Sequence, residues 1–153
     1  MRFLRNTISV ALLISLHPGC TQRAADAGGS HRADADGYRQ ITSNGGAYRV
    51  RYRPRPQPIP MNAPFALDVE IEPISKDAGR AGGAERSDVM LNVDADMPEH
   101  GHGMNTKPII TRTGPGRFTV GGLLFHMPGY WEVYLDITRD NRTERAQFDV
   151  TLE

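Results

Sequence analysis

The chain has 153 residues with 18 basic and 18 acidic side chains, a formal net charge of zero. That length holds one domain with a tail rather than two full domains. The balanced charge argues against a basic nucleic-acid surface, so no nucleic-acid partner is expected. The single Cys excludes an intramolecular disulfide and a Cys-cluster metal site.

The first residues carry an export pattern. Arg2 and Arg5 form a positive start, and the apolar run from Ile8 to Leu16 is too short to span a bilayer as a helix. Cys20 follows directly, preceded by Gly19. This arrangement resembles a bacterial lipoprotein signal, in which the Cys thiol is acylated and the chain is cut before it. The resemblance implies that residues 1–20 are a signal peptide, that Cys20 is lipidated, and that the acylated Cys20 anchors the chain in a membrane facing the periplasm. Thr21 rather than Asp after the Cys implies the outer membrane. The alternative is an ordinary signal cut after Ala25-Asp26-Ala27, which leaves a soluble exported protein. Residues 21–46 are rich in Ala, Asp, Gly, Arg and Ser, and read as a flexible tether.

From Ala47 the pattern changes to period two. Tyr48, Val50 and Tyr52 alternate with arginines, and the Pro-rich run from Pro54 to Pro60 is expected to end that strand. Phe65, Leu67, Val69 and Ile71 alternate with mostly polar residues, as do Val89, Leu91, Val93 and Ala95. Residues 76–87 break the pattern and read as a loop inserted between two strands. Short segments follow at Ile109–Arg112 and Phe118–Leu124, separated by a Gly114-Pro115-Gly116 turn. Segments Tyr130–Thr138 and Thr143–Leu152 are joined by a hairpin turn at Arg139-Asp140-Asn141-Arg142. About seven antiparallel strands and no helix predict an all-β, immunoglobulin-like sandwich over residues 47–153. Trp131 and Phe125 are expected in its core.

Two stretches concentrate His and Met. One is Met97-Pro98-Glu99-His100-Gly101-His102-Gly103-Met104, and the other is Phe125-His126-Met127-Pro128-Gly129. In extended backbone His100 and His102 point to one side. If successive strands reverse direction, both stretches and the linker carrying Met61 lie at one end of the sandwich, where binding loops commonly sit. Imidazole with thioether and no thiolate suits copper, Cu(I) above all, whereas zinc gains little from Met. The candidate metal ligands are therefore Met97, His100, His102, Met104, His126 and Met127. The competing reading is structural: Met-Pro packs the mouth of the sandwich, His-Gly-His-Gly is a turn, and His126 is a hydrogen-bonded structural histidine.

The run Asp94-Ala95-Asp96-Met97-Pro98-Glu99-His100-Gly101-His102-Gly103-Met104, followed by Gly121-Gly122-Leu123 and Phe125-His126-Met127-Pro128-Gly129-Tyr130-Trp131-Glu132-Val133, resembles the YtkA-like domain. That domain is related in pattern to FixH-type proteins of cytochrome oxidase assembly. The resemblance covers roughly residues 47–153. It implies a small all-β domain in the cell envelope, with copper handling as the activity suggested for it.

The leading expectation is thus a copper-binding envelope lipoprotein. The alternative is a non-metal structural or interaction module with an envelope protein partner, recognised by an aromatic face holding Tyr130 and Tyr134. Catalysis is not expected: no nucleophile motif surrounds any Ser, and Asp94 and Asp96 fall on an outer strand face.

Overall fold

The computed structural model describes residues 32–74 and 89–153. The export signal, Cys20 and the segment 76–87 lie outside the described residues.

Among the described residues nine strands form two antiparallel sheets. They are β1 (Arg39–Thr42), β2 (Tyr48–Arg55), β3 (Phe65–Pro73), β4 (Met90–Met97), β5 (His102–Gly103), β6 (Ile109–Gly114), β7 (Arg117–Leu123), β8 (Gly129–Arg139) and β9 (Arg142–Leu152). One sheet has the order β1-β2-β3-β7-β6, and the other β5-β4-β8-β9. Inward residues of both sheets make one core, so the chain is an all-β sandwich consistent with the immunoglobulin-like class.

The period-two segments all become strands, because a half-buried strand needs alternate apolar side chains. Val50, Leu67, Val120, Leu135 and Ile137 are fully buried, as are Trp131 and Phe125. Tyr52 of β2 stacks on Phe148 of β9 with ring centroids 3.9 Å apart, joining the sheets. The Arg139–Arg142 hairpin forms with Asp140 and Asn141 both at positive φ, 48° and 60°, as a primed two-residue turn requires.

Three differences from the sequence reading have physical causes. First, the folded unit begins before Ala47: β1 lies inside the stretch expected to be tether. It pairs with β2 from Arg39↔Tyr52 to Thr42↔Arg49, and Ile41 is buried opposite Val50. One inward apolar residue suffices there because β2 supplies the template. Second, Pro54 does not end β2. It is buried and pairs with Leu67, at a point where β1 has already stopped and no second neighbour requires an N–H. Third, β5 has only two residues and no alternation to read. It is held by pairing with Asp96 and Met97 of β4.

The turn between β1 and β2 is tied to β9 across the sandwich edge. Ser43 Oγ donates to Glu144 Oε2 at 2.6 Å, and the Ala47 N–H donates to the same oxygen at 3.1 Å. Asn44 N–H reaches the Arg145 carbonyl at 2.8 Å, and Arg145 N–H returns a bond to Asn44 Oδ1 at 3.1 Å.

Candidate metal centre

The end of β4 and the start of β8 are neighbours, since Asp96 pairs with Glu132. The loop leaving β4 and the loop entering β8 therefore meet at one end of the sandwich. Met61 joins them there through a parallel bridge to Phe125, and Leu152 pairs with Gly129.

After β4 the chain turns tightly. The N–H groups of His100 and Gly101 both donate to the Met97 carbonyl, at 3.0 and 2.9 Å. Gly101 adopts φ +66°, a conformation side chains disfavour. The backbone then returns along β4, placing Gly103 against Asp96, where a Cβ would stand 2.5 Å from Asp96 Oδ1 and 2.9 Å from the Ala95 carbonyl. The His-Gly-His-Gly run is thus a turn followed by a close return strand, not one extended segment.

This turn brings three imidazoles together. The ring centroids of His100 and His102 are 5.9 Å apart, and those of His102 and His126 are 5.3 Å apart. Beneath them lies the indole of Trp131, edge-on to His102 at 6.3 Å and to His126 at 5.6 Å. Trp131 itself stacks on Phe125 at 4.6 Å. Its Nε1–H donates to the Met127 carbonyl at 3.1 Å, fixing the second loop to β8. The sequence reading assigned Trp131 to the core and did not foresee that it also floors the histidine cluster.

The nitrogen atoms have distinct surroundings. His102 Nδ1 lies 3.3 Å from the Gly103 carbonyl, a contact that is a hydrogen bond when Nδ1 carries the proton and that leaves the Nε2 lone pair free. His126 Nδ1 is buried without a hydrogen-bond partner, so the expectation of a hydrogen-bonded structural histidine does not hold for that atom. An unpaired imidazole nitrogen beside a second imidazole offers donor atoms of the borderline kind that zinc, copper and nickel accept.

The thioethers divide. Met97 is fully buried and continues the inward face of Leu91, Val93 and Ala95. Its Cε lies against Gly129, so it fills the core. Met104 and Met127 are partly buried and pack on the core beside the loops. Met61 is exposed. Among the described residues no group of three or more His, Cys, Asp or Glu side chains is arranged to hold a metal ion. The three imidazoles are therefore not a ready-made cage.

An open groove of about 430 Å³ adjoins the cluster, lined by Asp96, Pro98, His102, Glu132 and Tyr134 among others. Tyr134 donates to Glu132 Oε2 at 2.7 Å and Tyr130 to Oε1 at 3.3 Å. The bond to the Glu132 carboxylate pushes Tyr134 up to about 12, with burial adding to it. Burial, followed by a bond to Asp149, pushes Tyr130 up to about 12. Glu132 did not stand out in the sequence, although strict alternation puts it between these tyrosines on the outer face of β8.

No protein-family model matches the chain, and no curated protein matches it. Among solved structures it is similar to a DUF4426 family protein from Pseudomonas aeruginosa PAO1, with 10% sequence identity and a TM-score of 0.49 over 78% of this chain and 97% of that one.

Proposed function

We propose that this chain is an envelope lipoprotein whose YtkA-like sandwich binds copper, as Cu(I), at the loop end. His100, His102 and His126 are the imidazole donors, and Met104 and Met127 the thioethers. The observation that carries this reading is the meeting of three imidazoles from two loops distant in sequence, with the buried Nδ1 of His126 unpaired. Burial of an unpaired polar atom is costly, so its presence at a cluster of like donors favours an ion as the missing partner. Met97 is left out of this donor set because it is fully buried and its thioether end packs toward Gly129. Acylated Cys20 would hold the domain at the periplasmic side of a membrane, on the outer-membrane reading of Thr21.

The test is a titration of the full chain, purified in detergent, with Cu(I) against a chromophoric competitor. One-to-one binding in the nanomolar range or tighter, lost in a His100→Ala plus His102→Ala double variant, supports the proposal. Weak binding that the substitutions leave unchanged overturns it.

A second reading rests on a separate observation. The outer face of the β5-β4-β8-β9 sheet carries Asp94, Asp96, Glu132, Asp136 and Asp149 against Arg145, with Tyr130 and Tyr134 among them. Such a face suits a cationic protein partner in the envelope. Loss of a partner on charge reversal of Glu132 and Asp149, with copper binding intact, would favour this role.

A further inference from the structure

A clasp lies at the start of the described chain, just before β1. Asp34 Oδ1 accepts from the N–H groups of Asp36 and Tyr38 at 3.0 and 2.9 Å, which closes a turn over residues 34–38. The turn is fastened to the outer face of β2. Asp34 Oδ2 accepts from Arg51 Nη2 at 2.7 Å, and the guanidinium groups of Arg51 and Arg53 lie over the Tyr38 ring, 4.5 and 4.6 Å from its centroid. Arg53 Nη1 also donates to the Asp36 carbonyl at 3.1 Å, and Gln57 Nε2 to the Gly37 carbonyl at 3.0 Å. Both guanidinium groups are held by β3 as well, Arg51 by Glu70 at 2.6 Å and Arg53 by Asp68 at 2.9 Å. The clasp therefore closes on cations already fixed in place, which lowers the cost of ordering it.

The clasp and β1 decide where the chain leaves the sandwich. β2 starts at the end where Glu144 of β9 binds the Ser43 turn, and it finishes toward the end where Met61 bridges Phe125. β1 lies along β2 from Thr42, opposite Arg49, to Arg39, opposite Tyr52, and the clasp carries the path on to Arg53 and Gln57. Without these contacts the chain would leave at Tyr48, at the end opposite the histidines. We infer that the clasp makes the histidine end of the sandwich the end nearest the point to which the N-terminus is fixed. On the lipoprotein reading, on which this inference rests, that point is acylated Cys20, and the loops carrying His100, His102 and His126 face the membrane. Residues 21–33 are all that separate Cys20 from Asp34, a span of at most about 50 Å. Turning the opposite end to the membrane would use most of that span, since the strand β8 (Gly129–Arg139) alone covers about 35 Å.

The test uses the full chain, reconstituted into phosphatidylcholine vesicles that carry a dye-labelled headgroup as energy acceptor. Mass spectrometry first reads the acylation of Cys20. Once acylated, Cys20 has no free thiol, so a donor dye attaches only at an added cysteine. One position is Glu99→Cys, on the exposed turn after β4 at the histidine end, and the other is Arg142→Cys, at the exposed start of β9 at the opposite end. Energy transfer from Glu99→Cys is expected to exceed that from Arg142→Cys by more than about twofold, because the two ends stand about 35 Å apart. Equal transfer in an acylated chain, or more from Arg142→Cys, overturns the orientation. A chain without acyl groups that does not join the vesicles overturns the lipoprotein reading, and this inference with it. Adding Asp34→Ala, Tyr38→Ala and Ile41→Asp releases the clasp and β1, and the difference between the two dyes should then vanish or reverse. If that variant still unfolds cooperatively in urea and keeps the full difference, the clasp is not its cause.

Discussion

Gly129 and Met97 share one space: a Cβ at residue 129 would stand 2.9 Å from the Met97 Cε. Gly129 opens β8 at φ +122°, and Met97 closes β4, fully buried. The two loops that carry the histidines thus pack together at a residue whose backbone conformation favours glycine. Gly129→Ala should destabilise the chain by about 1–3 kcal/mol, through backbone strain and displacement of the thioether end. Urea unfolding of both chains measures this. Because Met97 can swing, the backbone conformation is the larger cause, and Met97→Leu alone should cost less, under about 1.5 kcal/mol.

Ser43 links three elements through one hydroxyl. Its Oγ accepts from the Tyr48 N–H at 3.0 Å and donates to Glu144 at 2.6 Å. Ser43 is buried, so Ser43→Ala leaves the Tyr48 N–H without its side-chain acceptor and the Glu144 carboxylate short of one donor. The expected loss is about 1–3 kcal/mol in denaturant unfolding. The loss should overlap with that of Glu144→Ala rather than add to it, since both substitutions break the same network. Full additivity in the double variant would contradict this account.

Most of the sandwich was legible because its strands obey period two. The Trp131 face of β8 and the Phe148 face of β9 are examples, each alternating through the whole element. β1 and β5 were not legible, because one has a single inward apolar residue and the other has two residues in all; tertiary pairing makes them strands. The shared location of the histidine loops followed from alternating strand direction, which the antiparallel pairing satisfies. The fate of Met97 was also within reach. Continuing Leu91, Val93 and Ala95 by two residues puts it on the core face, but its place in a run of ligand-type residues drew attention instead. The orphaned nitrogen of His126 carries no sequence signal, since it depends on what the fold leaves beside it.

The outer face should show itself in alkali. Tyr134 and Tyr130 are held at about 12, as is buried Tyr52, against an ordinary 10.0. A tyrosine pKa raised in the folded chain means that the fold favours the protonated form. The associated stability is complete below about pH 10 and is lost as pH rises toward about 12. Tyrosinate absorbance near 295 nm should therefore rise late, above the unfolded chain's transition near pH 10. Glu132→Gln removes the negative charge but leaves an acceptor, so Tyr134 should titrate earlier, closer to 10.0. An unchanged titration curve in this variant would remove Glu132 as the cause.

The chain has one Trp, and it lies under the histidines, which makes the site observable. Trp131→Phe keeps a ring for Phe125 to stack on but removes the donor to the Met127 carbonyl and much of the floor. The expected cost is about 2–4 kcal/mol in unfolding free energy, combining a cavity with an unpaired carbonyl. With Trp131 kept, His126→Ala should uncover the indole and shift its emission to longer wavelength, while His100→Ala, at an exposed ring that makes no contact with Trp131 among those described, should leave it unchanged. Copper added to the wild type should quench this emission in proportion to occupancy. Binding without quenching would place the ion away from the indole, and quenching that persists in His126→Ala with wild-type affinity would remove His126 as a donor.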